Sequence, residues 1–372
     1  MNSSRGLLRS RPAGLRFGLL CGMSMLLPSL MLPNAVRAQT QTQTQAQTQT
    51  QAQTQTQGQA QSRSAAVPQR ALEKLVFGTN WYAQAEHGGF YQAQAEGIYR
   101  QHGLEVEIRM GGPQINGLQL LLARQMDVFM GFDFQTVKAL EQDLPVVTIA
   151  ASFQKDPVVL IAHPGVKRIE DLKGRSIAIG SASYNTFWPW LRTRYGFDDA
   201  QIRPYGFSVQ PFIADKTLSQ QGYATSEPYS VEKAGVKPVL FLLGDLGYPP
   251  YAQTIVVTRD TLARRRDALL RFVQASAEGW KRYFADPRPG NALIVQANPQ
   301  MEAGLMAHGL RKMREYGLVT GGDAARLGIM TMTEERWRQT CAFISEGRLV
   351  DAKVDCRRAY DLSVVKALRV LP

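Results

Sequence analysis

The chain predicts an α/β protein built on doubly wound, largely parallel sheets. Short apolar runs alternate with amphipathic helical stretches from Lys74 onward. The same rhythm restarts near Arg175, and Gly, Pro, Asn and Asp punctuate the runs. A strand, a crossover helix and another strand return the chain to the same end of a sheet, which makes the pairing parallel.

Residues 74–79 read as the first strand, and Asn80-Trp81 as the loop after it. Residues 86–101 read as a helix ended by His102-Gly103. Residues 104–110 alternate apolar and charged side chains, the pattern of a second strand. A helix over 116–124 leads to a third strand at 126–130. Residues 134–142 form a helix that Asp143-Leu144-Pro145 stops. The apolar runs 146–153 and 158–162 are strands. Residues 169–174 make a short helical turn, and 175–180 a strand opening onto Ser181-Ala182-Ser183. A helix over 187–195 follows, then 201–207 leads into another strand. Residues 216–221 read as a helix remnant, and 222–226 as a strand ending at Glu227-Pro228. Strands at 239–243 and 254–258 precede a long amphipathic helix over 267–284, and helix predominates to about Glu346. Chain crossings near His163-Pro164 and at 251–254 divide the fold. One lobe takes residues 71–162 and 252–372, the other 163–251, with two hinge strands between them.

The amino end reads as an export signal. Arg5, Arg9, Arg11 and Arg16 precede an apolar run over 17–32, and Val36-Arg37-Ala38 supplies a small-residue cleavage site. Leu20 before Cys21 argues against a lipoprotein, and the lack of adjacent arginines favours the Sec route. Residues 1–38 are therefore expected to be removed and the mature chain to be periplasmic. Residues 39–70 are dominated by Gln and Thr and read as a disordered tether. The remaining length of roughly 300 residues suffices for two cores.

The full chain carries formal charge +12, and loss of the five signal arginines lowers it to +7. Arg264-Arg265-Arg266, beside Asp260 and Asp267, reads as a solvated helix face and not as a nucleic-acid site. Cys341 and Cys356 are a disulfide candidate in an oxidising compartment. No CxxC and no histidine cluster is present, so no metal and no cofactor is expected.

Several runs resemble the periplasmic binding proteins of the nitrate/sulfonate/taurine import group, and within it the thiamine-pyrimidine-synthase-like branch. They are Asn80-Trp81, then Glu86-His87-Gly88-Gly89-Phe90-Tyr91, Glu96-Gly97-Ile98-Tyr99 and Gly111-Gly112-Pro113. Ile169-Glu170-Asp171-Leu172-Lys173-Gly174 and Glu227-Pro228 complete the series. The resemblance implies the type II periplasmic-binding-protein fold, in which two α/β lobes close on a ligand. It also implies a solute-binding role in an ABC importer, with an inner-membrane permease as partner, a monomeric state and no catalysis.

Ligands of open α/β sheets lie beyond the carboxyl ends of strands. Four such places stand out. After the first strand, Trp81 and Tyr82 offer planes for stacking and Asn80 a directional amide, with His87 nearby; Trp81 reads equally well as a lobe-packing aromatic. After the third strand, Asp133 either accepts from a ligand amino group or caps its helix, and Phe134 follows it. Ser181, Ser183 and Tyr184 precede a helix as an anion or carbonyl cradle, or as ordinary caps. Thr225 and Glu227 end another strand, where Glu227 meets either an amino-bearing ring or a structural arginine. Aromatic planes with amide and carboxylate partners suit a pyrimidine thiamine precursor first and a flavin-like ring next. Nitrate or a sulfonate would want arginine, and these segments carry none. A pyrimidine-synthase-like enzyme using His87 is the alternative of another class, but its cysteine-rich run is missing. A sensor delivering ligand to a receptor is a third.

Overall fold

The structure is a computed structural model and describes residues 71–112 and 114–372. The expected signal and tether lie outside the described residues. Among the described residues ten strands form two sheets. The first contains β1 (Glu73–Gly78), β2 (Leu104–Arg109), β3 (Val128–Gly131) and β4 (Val146–Phe153), and the second begins with β5 (Val158–Ala162). The second continues with β6 (Ile177–Ile179), β7 (Ile202–Pro204), β8 (Ser219–Tyr223) and β9 (Val239–Leu242), and β10 (Ala252–Thr258) returns to the first. The strand orders are β2-β1-β3-β10-β4 and β7-β6-β8-β5-β9. They are one pattern written twice, although the sequence shows no repeat. β1, β2 and β3 pair in parallel, as do β6, β7 and β8. In each sheet the fourth strand of the order, β10 or β5, runs antiparallel to both neighbours.

Register shows how the sheets are joined. β10 begins with Ala252 opposite Phe153, the last residue of β4. β5 begins with Val158 opposite Tyr223, the last residue of β8. Both chain passages thus enter a sheet at the carboxyl edge of its parallel strands. The two carboxyl edges are brought together at the passages, where ligand sites of such sheets form.

The first passage lies at residues 154–157, earlier than the expected His163-Pro164. Val158–Ala162 is wholly buried, so its apolar run fits either sheet, and only pairing with β8 and β9 assigns it to the second. The expected helix over 216–221 is also displaced. Pro211 starts a short helix, Gln210–Ala214, and Ser219–Tyr223 is the strand. The helix expected over 86–101 breaks at Gly97, whose φ of 68° ends one turn sequence and starts the next.

Each sheet has its own core. Phe77, Phe90, Phe272 and Trp280 lead one cluster, and Leu160, Ile177, Trp188 and Leu191 the other. The helix Gly88–Ala95 lies against the long helix Arg259–Ala285 at glycine contacts. A Cβ on Gly89 would stand 2.3 Å from the Trp280 ring, and one on Gly279 would stand 2.2 Å from the Gly89 carbonyl. The paired glycines after His87 therefore serve close helix packing.

Arg265 is not part of a solvated face. It bonds Glu73 at 2.9 Å and Asp127 at 2.8 Å, and Asp127 accepts from the Val76 amide, so the long helix is tied to the start of β1. Cys341 and Cys356 are bonded, with Cα atoms 5.9 Å apart. Among the described residues no helix is long and apolar enough to cross a membrane, and no metal-ligand cluster occurs.

Gly89→Val should lower unfolding free energy by about 1–3 kcal/mol, because the helix must move off Trp280. Urea unfolding followed by tryptophan fluorescence checks this; an unchanged midpoint would contradict the close packing.

Candidate functional site

The loop after β1 is pinned from beneath. Thr79 donates through its hydroxyl to the Trp81 carbonyl at 2.8 Å and accepts from the Gly111 amide at 3.0 Å. A Cβ on Gly111 would stand 2.2 Å from the Thr79 carbonyl, so only glycine fits where the loops after β1 and β2 meet. Tyr82 packs over Gly112 and is 44% exposed. Its ring meets Trp81 edge-on at 5.6 Å.

Aromatic groups of both lobes converge here. The Trp81 ring lies 5.4 Å from Phe207, which follows β7, and Phe207 lies 5.3 Å from Tyr205. The lobe-packing and ligand-stacking readings of Trp81 thus refer to one contact surface.

His87 is fully buried, and burial pushes its pKa down to about 3. The neutral ring lies 3.2 Å from the Asn80 side-chain oxygen. Donation from His87 Nε2 fixes that amide, so its nitrogen remains the available donor. His87 thus lies behind Asn80.

Glu86 joins the two lobes. It is buried, and its Oε1 accepts from the hydroxyl of Thr225, the segment after β8. Burial raises its pKa to about 7, and the nearby Glu227 adds to the rise. Gly309, on the helix Ala303–Glu315, seals this junction: its Cβ position is 3.0 Å from Ala85 and 3.3 Å from the Thr225 carbonyl.

Glu227 has no arginine partner among the described residues. It accepts from the Tyr223 amide at 2.8 Å, the Tyr205 hydroxyl at 3.1 Å and the Ser226 hydroxyl. The lobe's own donors hold this carboxylate. It shapes Tyr205, which in turn supports Phe207.

At the hinge, Asp133 does not cap its helix, Asp133–Ala139; the cap position is Phe132 and carries no side-chain bond. Its Oδ2 accepts instead from the Tyr251 amide at 2.8 Å, and its Oδ1 has no partner among the described groups. Burial raises Asp133 to about 8 and Asp156 to about 7. Gln253 and Thr254 on β10 and Ser152 on β4 also carry unpartnered buried oxygens among the described groups. Gln253 holds φ at 49° in a buried strand, a costly backbone state at the second passage. Arg336 donates to the Gln154 carbonyl at 3.1 Å and to that of Pro249, linking both passages. Its Nε and Nη2 are thus engaged at the hinge.

Phe134 packs in the first core. Ser181 is exposed, Ser183 buried and Tyr184 exposed, on a 3-10 turn, Ser181–Asn185. The Ser183 amide already donates to Gly180, so the expected cradle has lost one of its N–H groups. Sequence reasoning missed Glu86, Tyr205, Phe207, Asp156 and Gln253. Glu86 alone carried a signal, as a carboxylate beside His87. A groove of about 860 Å³ runs along edge strand β2 past Tyr91 and Leu293, but it holds none of the expected site residues.

The profile of the family described as NMT1/THI5 like matches residues 84–289, more than half of the chain. The chain belongs to the NMT1/THI5-like family. It is 25% identical over 307 residues to the riboflavin-binding protein RibY of Chloroflexus aurantiacus, covering 78% of this chain and 86% of that one. It is 22% identical over 250 residues to the formylaminopyrimidine-binding protein of Halalkalibacterium halodurans, covering 64% and 74%. The periplasmic aliphatic sulphonate binding protein SsuA of Escherichia coli superposes with a TM-score of 0.58 at 18% identity, over 77% of this chain and 91% of that one. That likeness shows the fold, the periplasmic-binding-protein architecture expected from the sequence.

Glu86, Asp133 and Asp156 hold protons more tightly folded than unfolded, so stability falls as pH rises through their raised pKa values. His87 acts oppositely, but only below its ordinary value near 6.5. The melting temperature of ligand-free protein should therefore drop between pH 6.5 and 8. Asp133→Asn should flatten that slope; a slope unchanged by the substitution would show that Asp133 does not titrate there.

Proposed function

We propose that this NMT1/THI5-like chain is the solute-binding component of an ABC importer. It takes a flat, amino-substituted heterocycle of pyrimidine or flavin type between its lobes. The observation that carries this reading is the meeting of Trp81 and Phe207 from opposite sheets beside Asn80 and the Glu86–Thr225 junction. Aromatic faces suit a ring, while an amide and a carboxyl near its ionisation point suit alternating donors and acceptors on a ring edge. A pyrimidine thiamine precursor and an isoalloxazine share such an edge. The names of the two relatives, which bind riboflavin and formylaminopyrimidine, support the same ligand chemistry.

Binding without catalysis fits the site. His87 is buried and neutral, which leaves it suited to positioning Asn80. Ligand capture would proceed by hinge closure in the periplasm, after which the closed form docks on a permease. Glu86 across from Thr225 is the bond that closure makes and opening breaks.

Chain 39–372, unfolded and refolded to strip carried ligand, should show a thermal shift with riboflavin or formylaminopyrimidine and none with taurine, an alkylsulfonate or nitrate. Trp81→Ala should weaken the positive ligand at least about tenfold, near 1.4 kcal/mol. Tight binding of an anion with no response to either ring would refute the ligand class and keep the fold.

A further inference from the structure

The helix Ala303–Glu315 carries two different faces. Met306, Leu310 and Met313 stand four and three residues apart and form one buried stripe. Leu310 and Met313 enter the core of Phe77 and Trp280, and Met306 packs beside Ala83 and Tyr91. That stripe seats the helix on the lobe of the first sheet. Gly304 and His308, four residues apart, lie on the other face and meet groups that follow β8 in the second sheet.

His308 is buried, and its Nε2 lies 3.2 Å from the Ala224 carbonyl. Arg311 Nη2 lies 3.0 Å from the other ring nitrogen. A guanidinium can only donate, so Nδ1 accepts and Nε2 carries the hydrogen. A directed, buried bond thus runs from this helix to the second lobe. The His308 ring also meets Tyr229, on the helix Glu227–Lys233, at 5.6 Å. Gly304 permits that approach, since a Cβ there would stand 2.2 Å from the Tyr229 hydroxyl. Lys233 pairs with Glu302 at 2.7 Å on the surface, which adds little. Past the end of the helix, Tyr316 packs on the first core and also on the second-lobe cluster of Phe212, Val231 and Leu242.

These contacts belong to the closed arrangement. Ala224 adjoins Thr225, and Gly309 sits between Ala85 and the Thr225 carbonyl. Whichever lobe carried the helix, parting Thr225 from Glu86 would part Gly309 from one of its two neighbours. With the helix seated on the first lobe, opening also takes the His308 donor from a buried carbonyl, an unfavourable loss. The grip uses none of Asn80, Trp81 and Phe207.

We propose that the helix Ala303–Glu315 is a latch that holds the two lobes together without ligand, with His308 on the Ala224 carbonyl as its catch. A ligand that fits only the closed cleft binds more weakly in proportion to the fraction of protein that stands open. The latch raises the closed fraction and so raises affinity for whatever the cleft takes. The inference goes beyond the ligand class and does not depend on it.

The test is small-angle X-ray scattering of chain 39–372, stripped of ligand, with circular dichroism to show that each variant is folded. His308→Phe keeps a ring and removes the donor, and it should raise the radius of gyration above the parent's. His308→Gln, whose amide still donates, should match the parent. Gly309→Val places a wedge in the seam and should open the protein at least as far as His308→Phe. Lys233→Cys and Glu302→Cys, joined by a short bismaleimide, should return the His308→Phe protein to the parent's radius; Cys341 and Cys356 are bonded to each other and do not react. Folded His308→Phe protein with the parent's radius would overturn the latch, and this variant decides by itself if Gly309→Val does not fold. A cross-linked parent more compact than the free parent would also overturn it, because the latch would then stand open on its own. His308→Gln opening as far as His308→Phe would overturn the role of the bond. No ligand enters the measurement, so failure of the heterocycle reading and failure of the latch are separate results.

Discussion

A parallel sheet gathers the carboxyl ends of its strands along one edge, and an antiparallel strand can enter the sheet only from that edge. In this chain β5 and β10 are those strands, and each arrives straight from the other sheet. That exchange obliges the two carboxyl edges to face each other across two short passages. Every other feature of the cleft follows. The loops after β1, β2, β6, β7 and β8 have nowhere else to project, so Trp81, Glu86, Phe207 and Thr225 meet without being near one another in sequence. The carboxyl-terminal helix Glu334–Glu346 then fastens the passages, through Arg336 on the carbonyls of Gln154 and Pro249.

The cleft is electrostatically unusual for a chain with excess positive charge. Glu86, Asp133 and Asp156 are buried with little cationic compensation, and their pKa values rise towards neutrality as a result. Burying an ionised carboxylate costs more than keeping it protonated. The site thus holds carboxyl groups that can donate as well as accept. The proposed neutral heterocycle, whose edge alternates donors and acceptors, would use such groups.

Much of the architecture was legible in the sequence, because alternation of period marks strands and helices wherever one face is buried. The limits were equally physical. Val158–Ala162 is buried on both faces and therefore carries no pattern that distinguishes one sheet from the other, which moved the first passage. Ser219–Tyr223 is polar and short, so it did not read as a strand, yet its backbone ladder places Glu227 and Thr225. At the site, the loop Asn80–Tyr82 was visible because aromatic and amide residues stand together after a strand. Phe207 was not, since a phenylalanine after a glycine carries no sign of its left-handed backbone. Glu86 read only as the start of a helix, and its partner Thr225 is 139 residues away. Glu227, at a strand end, also accepts from three donors of its own lobe, which the sequence did not show.

The central claim is that the ligand lies between the carboxyl edges of the two sheets and that the lobes meet at Glu86 and Thr225. A crystal structure of the chain with bound riboflavin tests it most directly. The account predicts planar density between Trp81 and Phe207, with Asn80 on the ring edge and Glu86 still reaching Thr225. Density outside the cleft, for instance in the groove along β2, would contradict it.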